Sequence, residues 1–154
     1  MDEKKVNLGL SIAGIAELGF FVNEELSLPT GKEAGLNISL SFAPQLAEEL
    51  VRFTVEAGFH LPDEPTKVLA GGKVRTDYKV ENLKKLATRQ GEQERINLPD
   101  QAVITMLSIA ISHLRALLAR NLSGTRHNQL MLPILNPTEL FMQIKTGSEA
   151  TKQQ

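Results

Sequence analysis

Between Asp100 and Asn121 the chain has helical periodicity, with more apolar residues than a helix lying on one surface can use. Of the seventeen residues from Ala102 to Leu118, twelve are apolar. Packing on a single layer takes about three to four apolar positions in seven, which leaves an excess of about four or five here. Each large side chain left in water forgoes about 1.5–3 kcal/mol of burial. The polar positions Gln101, Thr105, Ser108, Ser112 and Arg115 recur every three or four residues and form a narrow seam on one side. A sheet covers one side of such a helix, and the rest needs a second cover. That cover is either the loop after Leu122 with a short final helix, or a second copy of the chain related by a two-fold axis. The second copy is favoured, because the final helix has its own apolar face to bury in Leu140, Phe141 and Ile144. On that reading Val103, Met106, Leu107, Ala110, Leu114 and Leu117 form the oligomer interface.

The same segment approaches the length of a membrane span, but His113 and Arg115 inside it would be costly in lipid. It is therefore read as a buried helix. At the N-terminus Asp2 and Glu3 offset Lys4 and Lys5, and Asn7 and Ser11 interrupt the apolar stretch, so no signal peptide is expected. The expected location is cytoplasmic. The chain has no cysteine, which excludes disulfides, thiolate catalysis and cysteine zinc sites and fits a reducing compartment.

Upstream of the helix the period is two. Val6, Leu8, Leu10 and Ile12 alternate with polar or small residues, slip near Gly14, and resume as Leu18, Phe20 and Val22, which predicts a bulged strand. Leu36 to Phe42 gives a second strand, broken by Pro44, and Val51 to Leu61 a third. Gly71-Gly72 predicts a turn or bulge before a fourth strand, Val74 to Val80. No helix separates these strands, so antiparallel pairing is expected. The stretch from Glu81 to Arg95 reads as a mobile connector, and Asp100 as the cap of the long helix. Asn136 is expected to cap a short helix with Pro137 at its first position, running to about Lys145. Strands first and helices last is an α+β order: a four-stranded antiparallel sheet packed on one long and one short C-terminal helix. Residues 1–146 are expected to form one domain, and residues 147–154 a polar tail.

Catalytic constellations are missing. His60, His113 and His127 lack metal-ligand spacing with a second histidine or a carboxylate. On an apolar helix His113 reads as a satisfied interior or interface residue, and His60 and His127 as solvated. Ala70-Gly71-Gly72-Lys73 lacks the first glycine of a phosphate loop and has Val74 where a magnesium-binding hydroxyl is needed. Adjacent acids such as Glu24-Glu25 and Glu48-Glu49 read as solvated turns. No serine sits in a nucleophile elbow. A net charge of −1, one tyrosine and no tryptophan argue against a general nucleic-acid binder. No catalytic, metal or cofactor residue is assigned, and the chain is expected not to be an enzyme.

The C-terminal end resembles the SecB family of bacterial export chaperones. The resemblance rests on Leu132, Asn136 and Leu140-Phe141-Met142, spaced as in the run into that family's last helix. The order of elements agrees, and Leu36 to Leu61 resembles the family's middle strands. The chain departs from the pattern at Pro133, shifted by one, and at Pro137, where the family usually has Phe. It also lacks the Gln-Gln-(small)-Gly run of the last strand. The resemblance implies a homotetramer built as a dimer of dimers. It implies ATP-independent holding of unfolded clients or preproteins in apolar grooves, and delivery to a SecA-type motor through acidic sheet surface, for which Glu17 and Glu24 are candidates. A dedicated client such as an antitoxin is the other option. Flexible Met106 and Met131 suit a surface that accepts many sequences. The expected client-binding residues are Leu18, Phe20, Val22, Phe42, Met131 and Leu132, although each also fits an ordinary core. Two other classes stay open: a hotdog-like thioesterase or small-ligand carrier, and an adaptor with one fixed partner.

Overall fold

The computed structural model describes residues 9–90 and 93–143, with side chains described outside residues 88–95. Four strands, β1 (Leu10–Val22), β2 (Gly35–Gln45), β3 (Leu50–His60) and β4 (Val68–Val80), form one antiparallel sheet in the order β1-β4-β3-β2. Helix α1 (Asp100–Leu122) packs across β3 and β4 and reaches β1 less. A short helix, α2, occupies residues 137–143. The α+β architecture expected from the order of periodicities is the one observed.

The register explains the core. Directly opposed side chains on antiparallel strands share a face. Val51, Phe53, Val55, Ala57 and Phe59 of β3 stand opposite Tyr78, Thr76, Val74, Gly72 and Ala70 of β4. All of these that carry a side chain beyond Cα are buried against α1. Gly72 is a glycine for a packing reason: a Cβ there would lie 2.9 Å from Leu118 Cδ2 on the helix. From α1 the sheet takes up Met106, Leu107, Ala110, Ile111, Leu114, Leu118 and Leu122, all buried. The phenol of Tyr78 donates to the Met106 carbonyl at 2.6 Å and pins strand to helix.

Several expectations are corrected. Gly71 and Gly72 make no turn; β4 runs straight through them, and the hairpin loop spans only residues 61–67. Pro44 does not end β2, because β2 is an edge strand, where a missing amide donor is tolerated. The connector forms structure: a 3-10 turn at Leu83–Leu86 leads into a hairpin of β5 (Ala87–Gln90) and β6 (Gln93–Ile96). Pro99, not Asp100, is the cap of α1, and Asp100 takes the first helical position, where its charge complements the amide end. The bulge near Gly14 is present, as a register shift between Ile12 and Gly14, and a second follows between Glu17 and Gly19. Asn136 caps α2 as expected, its Oδ1 accepting from the amides of Thr138 at 3.0 Å and Glu139 at 3.3 Å. Val6, Leu8, Ile144, Lys145 and the tail 147–154 lie outside the described residues.

Candidate client-binding surface

The two edge strands carry the same alternation as β3 and β4 without the same cover. Opposite the buried Tyr78 and Thr76 stand Ile12 and Ile15, and opposite Gly72 stands Phe20. These side chains share the helix-side face of the sheet, yet Ile12 and Ile15 are about half exposed and Phe20 is 36% exposed. Leu18, in the second bulge, and Phe21, on the opposite face, are also exposed. At the far edge Phe42 is 42% exposed while its ring meets buried Phe53 edge-on, with centroids 5.1 Å apart. Phe53 in turn meets Tyr78 edge-on at 5.9 Å, so an aromatic row runs from edge to core.

The segment after α1 adds a third apolar set. Asn23 in the β1–β2 crossover accepts at its carbonyl from His127 Nε2 at 2.8 Å, and Arg126 Nη1 donates to Ser27 Oγ at 3.0 Å. His127 is therefore buried and partnered rather than solvated. Further on, Arg115 Nε donates to the Leu132 carbonyl at 3.0 Å and its Nη2 to that of Pro133 at 2.9 Å. This clamp seats Leu132 in the core and turns Met131 and Ile134 outward, with Ile134 95% exposed. Arg115 thus leaves the polar seam to hold the loop against the helix.

Among the residues expected to grip clients, Leu18, Phe20, Phe42 and Met131 are exposed, Val22 is half-buried and Leu132 is buried. They do not form one patch. Leu18, Phe20 and Val22 follow β1, while Phe42 sits on β2 at the opposite edge of the sheet. Missing from that expectation were Ile12, already in the first strand's apolar run, Ile15, just past the slip near Gly14, and Ile134, which no periodicity singles out.

The residues expected at an oligomer interface divide as well. Met106, Leu107, Ala110 and Leu114 are covered by the chain's own sheet, and Val103 and Leu117 are half-buried beside it. The outward stripe of α1 is Gln101, Thr105, Ser108, Ser112, Ala116 and Arg120. The helix has the length and composition of a membrane span, but the sheet occupies its most apolar side.

The titratable groups in this region are structural. His113 shares a 3.0 Å hydrogen bond between its Nδ1 and the hydroxyl of buried Thr76, and burial lowers its pKa below the ordinary imidazole value. Burial drives the Tyr78 phenol well above its usual range, and a backbone hydrogen bond at Ala110 offsets this only in part. Glu17 accepts from Asn121 Nδ2 at 2.5 Å on the helix-side face, and Glu24 accepts from the Arg126 amide at 3.4 Å. Neither acid stands on the outer face of the sheet. Among the described residues no group of three His, Asp or Glu side chains could hold a metal ion.

No known family profile matches the sequence, and no curated protein does. Solved structures do match. A SecB-like chaperone of Mycobacterium tuberculosis, solved in complex with a ChAD peptide from the HigA1 antitoxin, superposes with a TM-score of 0.58. The match covers 82% of this chain and 89% of that one at 13% sequence identity. The four-stranded antiparallel sheet, the long helix on its inner strands and the capped short helix are thus the fold of a SecB-like chaperone.

Proposed function

We propose that this protein is an ATP-independent holdase that binds extended, apolar segments of other polypeptides. The observation that carries the reading is the run of Ile12, Ile15, Leu18 and Phe20 along one edge strand, each 36–50% exposed. Four large apolar side chains on one strand exceed the scattered exposure usual for a self-contained domain. An edge strand also offers unpaired backbone groups, to which an extended segment can add as a further strand. Met131 and Ile134 extend the apolar surface on a loop that can repack around different side chains.

The fold likeness supports this reading, since the similar chaperone holds a peptide of an antitoxin. An unfolded client or preprotein, or one dedicated partner such as an antitoxin, would bind in the same way. Assembly into a homotetramer, a dimer of dimers, is part of the proposal. It would cover Val103, Leu117 and the half-buried Ile104 and Ile109 of α1, which the chain's own sheet leaves incompletely buried. Cytoplasmic residence and hand-over to a SecA-type motor complete it. The deciding experiment pairs light scattering of the purified protein with suppression of aggregation of an unfolded client. An oligomer that suppresses aggregation, and loses this with Leu18→Ser and Phe20→Ser while keeping its size, supports the proposal. A monomer without effect on the client sinks it.

A further inference from the structure

The outer face of the sheet, turned away from α1, carries a feature unrelated to client holding. Across the strands, Phe21, Gly71, Gly58 and Asn37 stand in one register row. The two middle members have no side chain, so the row is a trough between Phe21 and Asn37. The next row is Gly19, Lys73, Glu56 and Ser39, and it forms one wall. Val68 and Lys67, from the start of β4 and the loop before it, form the other. The hollow has a volume of about 910 Å³. Gly71 is fixed by its neighbours, because a Cβ there would lie 2.9 Å from the Ala57 carbonyl oxygen. Gly58 and Gly19 are not: a Cβ on Gly58 would meet only Val68 at 4.0 Å, and one on Gly19 would meet nothing within 4 Å. The space over them is open without any packing need for it.

Beside the trough the face is cationic. Arg52, Lys73, Arg75 and Lys79 point to this side by register, against Glu56 and Asp77, which is four positive groups against two negative. Asp77 is already taken by Arg52, its Oδ1 accepting from Nε at 2.9 Å. Arg75 Nε is buried 3.6 Å from the other Asp77 oxygen, without a hydrogen-bond partner among the described residues, and is closed to an outside ligand. Lys73 is held only loosely, 4.0 Å from Glu56. Lys73, which lines the hollow with its side chain 45% exposed, is therefore the cation open to a further carboxylate.

We propose that this trough docks an acidic polypeptide segment that inserts one aromatic side chain over Gly58 and Gly71 and places a carboxylate on Lys73. A ring fits the gap that two opposed glycines leave between strands about 4.8 Å apart, and Phe21 and Val68 supply apolar edges for it. A carboxylate pairs with the Lys73 ammonium through a charge-assisted contact, which the positive excess of this face favours. The site lies on the opposite face from Ile12, Ile15 and Phe20 and does not rest on the holdase reading. It would let a partner bind while a client is held.

The test uses the full-length protein and a short fluorescent peptide rich in Asp and Glu around one central Phe. Control peptides replace Phe by Ala, or the acids by Lys. Saturable binding that weakens as salt rises, and falls about tenfold in either control, is expected. Gly58→Leu and, separately, Gly19→Leu fill the hollow, and Lys73→Glu reverses its wall; each should weaken binding about tenfold. Client holding should stay unchanged in any variant that keeps the parent's circular dichroism. The absence of saturable binding overturns the proposal. So does equal binding of the lysine peptide, or binding that survives both leucine variants. Tighter binding of a single-stranded oligonucleotide than of the peptide also overturns it, by making phosphate the ligand. Gly19→Leu keeps the test decisive if Gly58→Leu does not fold.

Discussion

The inner strands β3 and β4 and the edge strand β1 obey the same alternation and differ in what lies above them. On β3, Val51, Phe53, Val55, Ala57 and Phe59 are all at most 4% exposed. On β1, Ile12 and Ile15 share that face and are about half exposed. One helix of about 10 Å diameter covers two strands spaced about 4.8 Å apart and cannot cover four. Binary pattern therefore selects the face on which a side chain stands, and the position of its strand decides whether the face is core or surface. In this protein the surplus apolar face at the edges is the basis of the proposed activity.

The contrast breaks most visibly through stability. Leu118→Ala removes a side chain that is 2% exposed and packs over Gly72, and should cost about 2–5 kcal/mol in denaturant unfolding. Leu18→Ala, equally apolar in sequence, should cost within about 0.5 kcal/mol. Equal losses would show that a second surface covers β1 and that its exposure is not available to clients. Next in size is Tyr78→Phe, which deletes the phenol's hydrogen bond to the Met106 carbonyl and should cost about 1 kcal/mol. Because burial raises the Tyr78 pKa in the folded state, its contribution is complete below the unfolded value of about 10 and is lost as pH rises above it. Alkaline unfolding curves should lose this component in Tyr78→Phe.

Much of this was legible beforehand, for local reasons. The period-two runs and the apolar helix required only neighbouring residues, and Asn136-Pro137 states its cap chemistry in two letters. What escaped was set by residues far apart in sequence. Gly71-Gly72 carries a turn signature, yet Leu118 on the helix and the Ala57 carbonyl on β3 require both glycines inside a strand. Pro44 breaks a strand only if its amide is needed, and that depends on β2 lying at an edge. The placement of Leu18 and Phe42 at opposite edges follows from β1 pairing with β4, which no spacing within either strand encodes. His127 reads as a loop residue until Asn23, more than a hundred positions away, meets its ring.

A smaller effect on stability, with a larger one on activity, is expected at the edge itself. Replacing Ile12 and Ile15 by Ser on one chain should leave the unfolding midpoint nearly unchanged, because both side chains are already half in water. It should lower client holding measurably in an aggregation assay. Unchanged holding would move the functional surface to Phe42 and the Met131–Ile134 segment, separating the two edges that the sequence does not distinguish.

The finest probe is His113, which stands where core passes into edge. Its ring bonds buried Thr76, whose partner on β1 is the half-exposed Ile15. Burial depresses its folded pKa, so the unfolded chain takes up the proton first as pH falls. The contribution is present above the unfolded value of about 6.5 and is lost as pH falls through the depressed folded value. Unfolding measured at pH 7.5 and at pH 5 should therefore show a drop in stability that His113→Asn reduces. If a client or a second copy covers Ile15, the ring is desolvated further and its folded pKa falls again, so the acid-induced drop should grow when client is present. A drop indifferent to client would place the covered surface elsewhere on the molecule, whereas one that client enlarges would tie the edge of the sheet to its core through a single imidazole.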